Sequence, residues 1–430
     1  MATYTYPVTN KFEARRVTEP EFEPDLFADD LYVDLDLVRG NEFRQDIAFN
    51  LSISDGPTIR ESRLAYQSDD YVKIIFSGHR GCGKTTELKR LHDDLNDPSR
   101  YATIYFSIED ETIYEGFQPT DLFVWIIVKL VQFLEAQGIR AGASVLKRLR
   151  KQLLTDVIIE DEVRESSELT LSTEVGGGFD FFGWLNFGAR AKAVMADNNQ
   201  ISTKIREQVR QNTLPIIYEI NAALVDIRDV VRQQGKGEDL LLIIDGSEKL
   251  NFEVYEYLFL KNSHLIRELN LNLIAAVPID TYYRIMDTVV YFPNQHTIPM
   301  VKLSTSGAEN CLKEIVRKRI DESTFFEAGV LDECVLFSGG CVRQLLQIVN
   351  AVIRRTRGQK ADMGAANHAM HELGRRMFEL LDNEHLAILE KGHYQTGEAK
   401  VRELLFQLVL LKYNGTVKIN PLLEPFMPKP

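Results

Sequence analysis

The stretch from Gly78 to Leu91, GHRGCGKTTELKRL, constrains this chain more than any other part of it. Gly78, Gly83, Lys84 and Thr85 fit the spacing G-x-x-x-x-G-K-[ST]. The apolar run YVKIIFS precedes them, and TELKRLHDDL, with leucines at helical spacing, follows. Strand, glycine turn and helix in that order build a loop whose backbone N–H groups converge at the positive end of the helix, the environment a phosphate needs. Lys84 is placed to reach the β- and γ-phosphates and Thr85 to hold magnesium through its hydroxyl. Gly78, His79, Arg80, Gly81, Cys82, Gly83 and Thr86 complete the cradle. The expected ligands are ATP and Mg2+.

A second segment supplies what such a loop requires. LLLIID places Asp245 at the carboxyl end of an apolar strand, the edge where ligands bind in open α/β sheets, and its carboxylate can orient magnesium. Three residues on, Glu248 can polarise an attacking water and take its proton. It could also be a solvated loop acid beside Lys249. Further strands are expected in YATIYFSIED, LNLNLIAAVPID and QHTIPMVKL. A helix is expected in PTDLFVWIIVKLVQFLEAQG, with Thr120 or Asp121 as N-cap and Gly138 as its stop. Strands alternating with helices predict a parallel sheet covered on both faces.

These segments resemble bacterial ATPases of the AAA+/STAND part of the P-loop superfamily, in which the second motif runs apolar residues followed by D-G-x-[DE]. FSGGCVRQLLQIV is similar to the sensor-2 helix of origin-recognition-like members, with Gly339 and Gly340 opening the helix and Arg343 at the position that reaches the nucleotide's phosphates. A surface pairing with a carboxylate is the plainer role for that arginine. KVRELLFQLVLLKYNGTVKINPLL resembles the closing helix and wing of a winged-helix domain, with Asn414-Gly415 as the hairpin turn. The likeness runs from about Leu31 to the C-terminus, the middle insertion excepted. It implies an α/β P-loop NTPase core with a middle insertion, a helical lid and a C-terminal winged-helix-like domain. The corresponding divisions are an acidic N-terminal arm (1–35), a core (36–304) with an insertion at about 140–235, a lid (305–358) and the winged-helix-like domain (359–430). Catalytic roles fall to Glu248, Lys84 and Arg343, and magnesium binding to Thr85 and Asp245. Gly246 stands where AAA+ enzymes usually carry a second acid, which fits the STAND-like version. Asp280 and Thr281 both remain open as the polar residue after the fourth strand. Arg317, Arg319, Arg206 and Arg210 remain open as an arginine finger.

The insertion contains ELTLSTEVGGGFDFFGWLNFGARAKA. A β-hairpin turning at Gly176 to Gly178 is the simplest expectation, a loop the other. Its Phe179, Phe181, Phe182 and Trp184 either close a small core or present a contact surface to a partner or a second subunit. Downstream, Pro215 should start or kink a long helix.

Composition narrows the class. With 430 residues and 44% hydrophobic content there is material for about three domains. A formal net charge of -13 argues against a surface that grips nucleic acid by charge alone, so a nucleic-acid partner is possible but not favoured. The four cysteines form no CxxC pair, which points to a reducing compartment, the cytoplasm. The start MATYTYPVTNKFEARR lacks the apolar core of a signal peptide, and LFVWIIVKLVQFL is too short to span a bilayer, so no membrane association is expected. Nucleophile elbows, metal-ligand clusters and repeat arrays are absent from the sequence. ATP turnover is the one chemistry left. The expectation is an ATPase switch that oligomerises or changes shape with ATP and controls a separately encoded effector, with anti-phage defence as the setting the family likeness implies. The alternative is a DNA-binding ATPase of the origin-recognition or transposition-regulator type.

Overall fold

The computed structural model describes residues 4–22, 24–40, 43–54, 56–67, 70–108, 117–138, 207, 210–246, 252–286 and 292–427. Its centre is a five-stranded sheet of β3 (Lys73–Gly78), β4 (Tyr101–Ser107), β5 (Asp239–Asp245), β6 (Asn272–Pro278) and β7 (Asn294–Ile298), in the order β4-β5-β6-β3-β7 with every pair parallel. Four of the strands fall in segments whose short apolar runs predict them; the fifth, expected in QHTIPMVKL, is the more polar Asn294–Ile298 and ends before Pro299. Two short strands, β1 (Ile53–Ser54) and β2 (Arg63–Leu64), pair separately. Parallel strands need crossovers, and the helices that make them bury both faces of the sheet.

The alternation of side chains along each strand sorts the two faces. Ile74, Phe76, Leu241, Ile243, Ile274 and Ala276 pack with α3 (Phe43–Asn50) and α4 (Lys84–Leu95). Ile75, Ile104, Phe106, Leu242, Ile244, Ala275 and Val277 pack with α5 (Asp121–Ala136) and α6 (Thr213–Gln233). Helix α5 is apolar almost all round because it lies inside this second layer, where Trp125 stacks on Phe106 with centroids 6.1 Å apart. Its first residue follows Thr120, as expected, yet no side chain caps it; Asp121 instead accepts from the N–H of Gln118. Pro215 sits in the first turn of α6, the place where its missing N–H costs nothing.

A helical layer of α10 (Ala308–Arg317), α11 (Glu322–Phe325), α12 (Val330–Phe337) and α13 (Val342–Arg355) follows the sheet, after α7 (Phe252–Tyr255), α8 (Ser263–Arg267) and α9 (Ile279–Met286). The N-terminal segment is built into it. Val8, Ala14 and Val17 are buried there, Val8 exchanges backbone hydrogen bonds with Arg319 and Asp321, and Asn350 of α13 donates to the Arg15 carbonyl at the end of α1 (Lys11–Val17). The chain closes with α14 (Met363–Phe378), α15 (Asn383–Lys391), α16 (Ala399–Phe406) and the hairpin of β8 (Leu410–Tyr413) and β9 (Thr416–Ile419). Asn414-Gly415 makes the turn as its sequence predicts; Gly415 carries the positive φ, +80°, and Asn414 uses its side chain to donate to the Gly40 carbonyl at 2.8 Å.

No helix among the described residues is long and apolar enough to cross a membrane. The aromatic insertion, including Phe179, Phe181, Phe182, Trp184 and the expected hairpin at 176–178, lies outside the described residues, as do Glu248 and Arg206.

Candidate functional site

The glycine loop joins β3 to α4 at the carboxyl edge of the sheet. Gly81 and Gly83 adopt φ of +75° and +98°, a left-handed backbone that side chains resist, and this turns the loop back on itself into a concave nest ahead of α4. A Cβ on Gly78 would stand 2.7 Å from the Cys82 sulfur. Lys84, in the first turn of α4, is buried, and its ammonium donates to the carbonyls of Gly78 and His79 at 3.1 and 3.0 Å. Thr85 and Thr86 follow, half-buried. A cationic side chain, a helix N-terminus and left-handed glycines within one turn favour an anion.

Asp245 ends β5 at the same sheet edge, one strand beyond β6 from the loop strand. Its Oδ2 accepts from the Tyr105 hydroxyl at 2.6 Å; Tyr105 reaches forward from β4, where its own register partner is Ile243. A buried carboxylate and a threonine hydroxyl are the hard oxygen donors Mg2+ takes, so the residues present fit that ion. Gly246, directly after, turns the chain with φ +70°.

Each exposed flank of the loop is held by a different part of the molecule. From the N-terminal side, Arg39 at the end of α2 (Asp36–Arg39) donates to the Cys82 carbonyl at 2.6 Å and pairs with Glu87 of α4 at 3.0 Å, both side chains almost fully buried. From the helical layer, the backbone N–H of Arg343, which α13 leaves without an intrahelical acceptor, donates to the Gly81 carbonyl at 3.1 Å. The Arg343 stem lies so close that a Cβ on Gly81 would be 2.2 Å from its own Cβ. Gly339 and Gly340 precede α13 with φ of +56° and +80°, and a Cβ on Gly340 would be 1.9 Å from the Val301 carbonyl, so only glycine fits the approach.

From the C-terminal side come three contacts. The His79 ring faces away from the nest and is wholly buried: its Nδ1–H donates to the Leu405 carbonyl at 3.0 Å, and its Nε2 accepts from the Lys412 N–H at 2.8 Å. The exposed Arg80 lays its guanidinium over the Phe406 ring at 5.7 Å. Asp280, at the start of α9, is shared by Arg402 of α16 at 3.2 Å and Arg284 at 3.1 Å. Thr281 beside it is buried. Of the remaining arginines considered from sequence, Arg319 is buried and donates to the Ile315 carbonyl, out of reach of a second chain. Arg317 pairs with Glu322 and Arg210 with Glu207, both partly exposed.

Burial pushes the His79 pKa down to about 3, and the neighbouring charges of Lys84 and Lys412 lower it further, against the raising effect of the bond to Leu405. The folded chain therefore refuses a proton that the unfolded chain accepts below pH 6.5. The stability this ring contributes is fully present above that pH and is lost progressively on acidification towards pH 3. Urea midpoints measured from pH 7 to 4 should fall with an added slope, and His79→Asn should remove it; parallel curves for the two proteins would contradict the assignment.

Arg39, Tyr105 and the Asp280–Arg402 pair escape sequence reasoning, since nothing local to them signals a partner 35 or more residues away. No protein-family model matches the chain, and no curated protein matches it.

Proposed function

We propose that the chain is an ATP-binding and ATP-hydrolysing switch of the AAA+/STAND group, with a helical lid and a winged-helix-like C-terminal domain, working in the cytoplasm. One observation carries this: Lys84 and the left-handed glycines open α4 at the same sheet edge to which β5 delivers Asp245. The loop N–H groups and Lys84 hold the phosphates, and Thr85 and Asp245 are the residues to hold Mg2+. Held there, the ion would supply positive charge against that of the phosphates. Glu248 orients the attacking water and accepts its proton, and Tyr105 fixes the Asp245 carboxylate through its hydroxyl.

The switch follows from the contacts around the loop. Lid residue Arg343 and the C-terminal hairpin both rest on it, so a change of occupant has two ready paths outward. We assign the output to oligomerisation or a change of shape that controls a separately encoded effector, with anti-phage defence as its setting. The DNA-binding alternative gains little from Arg375, Arg376 and Lys400 of the C-terminal unit, which pair with Glu379, with Glu372 and with Asp382 and Glu403. Bases already neutralised by neighbouring acids contribute little to phosphate binding.

Magnesium-dependent ATP hydrolysis by the whole chain tests the proposal. Glu248→Gln should retain ATP binding while slowing turnover by about 100-fold or more, the usual size of a general-base contribution. Equal turnover in the two proteins would move the role to another residue, and no nucleotide binding in either would end the proposal.

A further inference from the structure

His79 occupies a variable position of the glycine loop, yet its side chain is the most completely enclosed polar group there. A neutral imidazole offers one N–H and one lone pair, and both are used on the C-terminal unit, 326 and 333 residues away. The second bond is unusual in what it satisfies. In the hairpin, Lys412 turns both backbone groups away from β9: its N–H goes to His79, and its carbonyl accepts from Met300 at 3.0 Å, just after β7. A side chain from the glycine loop thus finishes the open edge of a two-stranded sheet, which otherwise needs water or another strand.

The backbone of the same residue is tied to the lysine of the loop, because Lys84 donates to the His79 carbonyl at 3.0 Å as well as to Gly78. Residue 79 is thus tied through its carbonyl to the ammonium and through its ring to the C-terminal unit. Turning Lys84 onto a phosphate takes a donor from that carbonyl and frees the peptide to which the ring is attached.

We propose that His79 couples the occupant of the glycine loop to the docking of the C-terminal unit: with Lys84 on the loop carbonyls the ring clips α16 and β8 in place, and a phosphate that draws Lys84 away loosens the clip. This rests on the nucleotide reading of the loop and adds its direction of control. Docking and nucleotide binding oppose one another, and linkage makes the effect reciprocal. Arg80 on Phe406, Arg402 on Asp280 and Asn414 on the Gly40 carbonyl are the further contacts that the released unit gives up.

Hydrogen exchange on the full chain, with and without ATP and Mg2+, tests this alongside calorimetric nucleotide binding. Amides of 399–419 in the wild-type chain should exchange about fivefold faster or more with nucleotide bound, the lower end of ordinary coupling. His79→Asn, which keeps a donor near the Nδ1 position and loses the acceptor for Lys412, should show that faster exchange without nucleotide and bind nucleotide correspondingly tighter. Asn414→Ala, at an exposed position that bonds Gly40 rather than the loop itself, should tighten binding in the same direction by a smaller factor. Nucleotide binding by the wild type with no change in exchange over 399–419 overturns the coupling and leaves the ATPase proposal intact. Absence of nucleotide binding by the wild type defeats both.

Discussion

Arg39→Ala is expected to destabilise the folded chain by about 3–5 kcal/mol, the cost of removing one partner from a buried ion pair. The Arg39 and Glu87 side chains are 2% and 3% exposed and stand 3.0 Å apart, so the deletion strands the Glu87 carboxylate away from water. It also takes a 2.6 Å bond from the Cys82 carbonyl inside the glycine loop. Denaturant unfolding followed by circular dichroism measures the loss. Adding Glu87→Leu to Arg39→Met should recover much of it, because an apolar pair of similar volume leaves no orphaned charge. A loss below about 1 kcal/mol for Arg39→Ala would mean that the pair behaves like a solvated surface one.

Lys84→Ala is expected to weaken ATP binding by roughly ten- to a hundredfold or more, the value of charge-assisted hydrogen bonds of about 1.5 to 3 kcal/mol. The Lys84 ammonium donates to the Gly78 and His79 carbonyls of its own loop, so the stability of the variant is measured beside its affinity. Calorimetry with ATP and Mg2+ on a chain of unchanged melting temperature is the measurement. Undiminished affinity would remove the glycine loop from nucleotide binding and, with it, the proposed function.

The two variants share one loop but probe different layers of information. Lys84 is legible in the sequence because its role depends on short-range geometry. A strand of apolar residues, glycines able to take positive φ and a helix start lie within 14 residues, and local backbone chemistry forces them into one turn. The same holds for β3 to β6, each announced by a short apolar run, for Asp245 at the end of a strand buried throughout, and for the Asn414-Gly415 hairpin. Parallel pairing followed from the helices between the strands, since a crossover leaves no other choice.

What the sequence could not determine is everything that depends on which distant surfaces meet. The strand order, with β6 between the loop strand and the Asp245 strand, is fixed by the packing of α3 and α4 on one face and α5 and α6 on the other. His79 gave no sign that its ring would turn away from the nest to Leu405 and Lys412, and Asp280 none that it would bind Arg402. Arg39 read as one arginine among many until the fold placed it against Cys82 and Glu87. Hydrogen bonds and ion pairs between remote residues leave no periodic trace, because a single side chain makes each of them and any polar residue could have stood there. Local chemistry determined the loop, and tertiary packing decided what holds it.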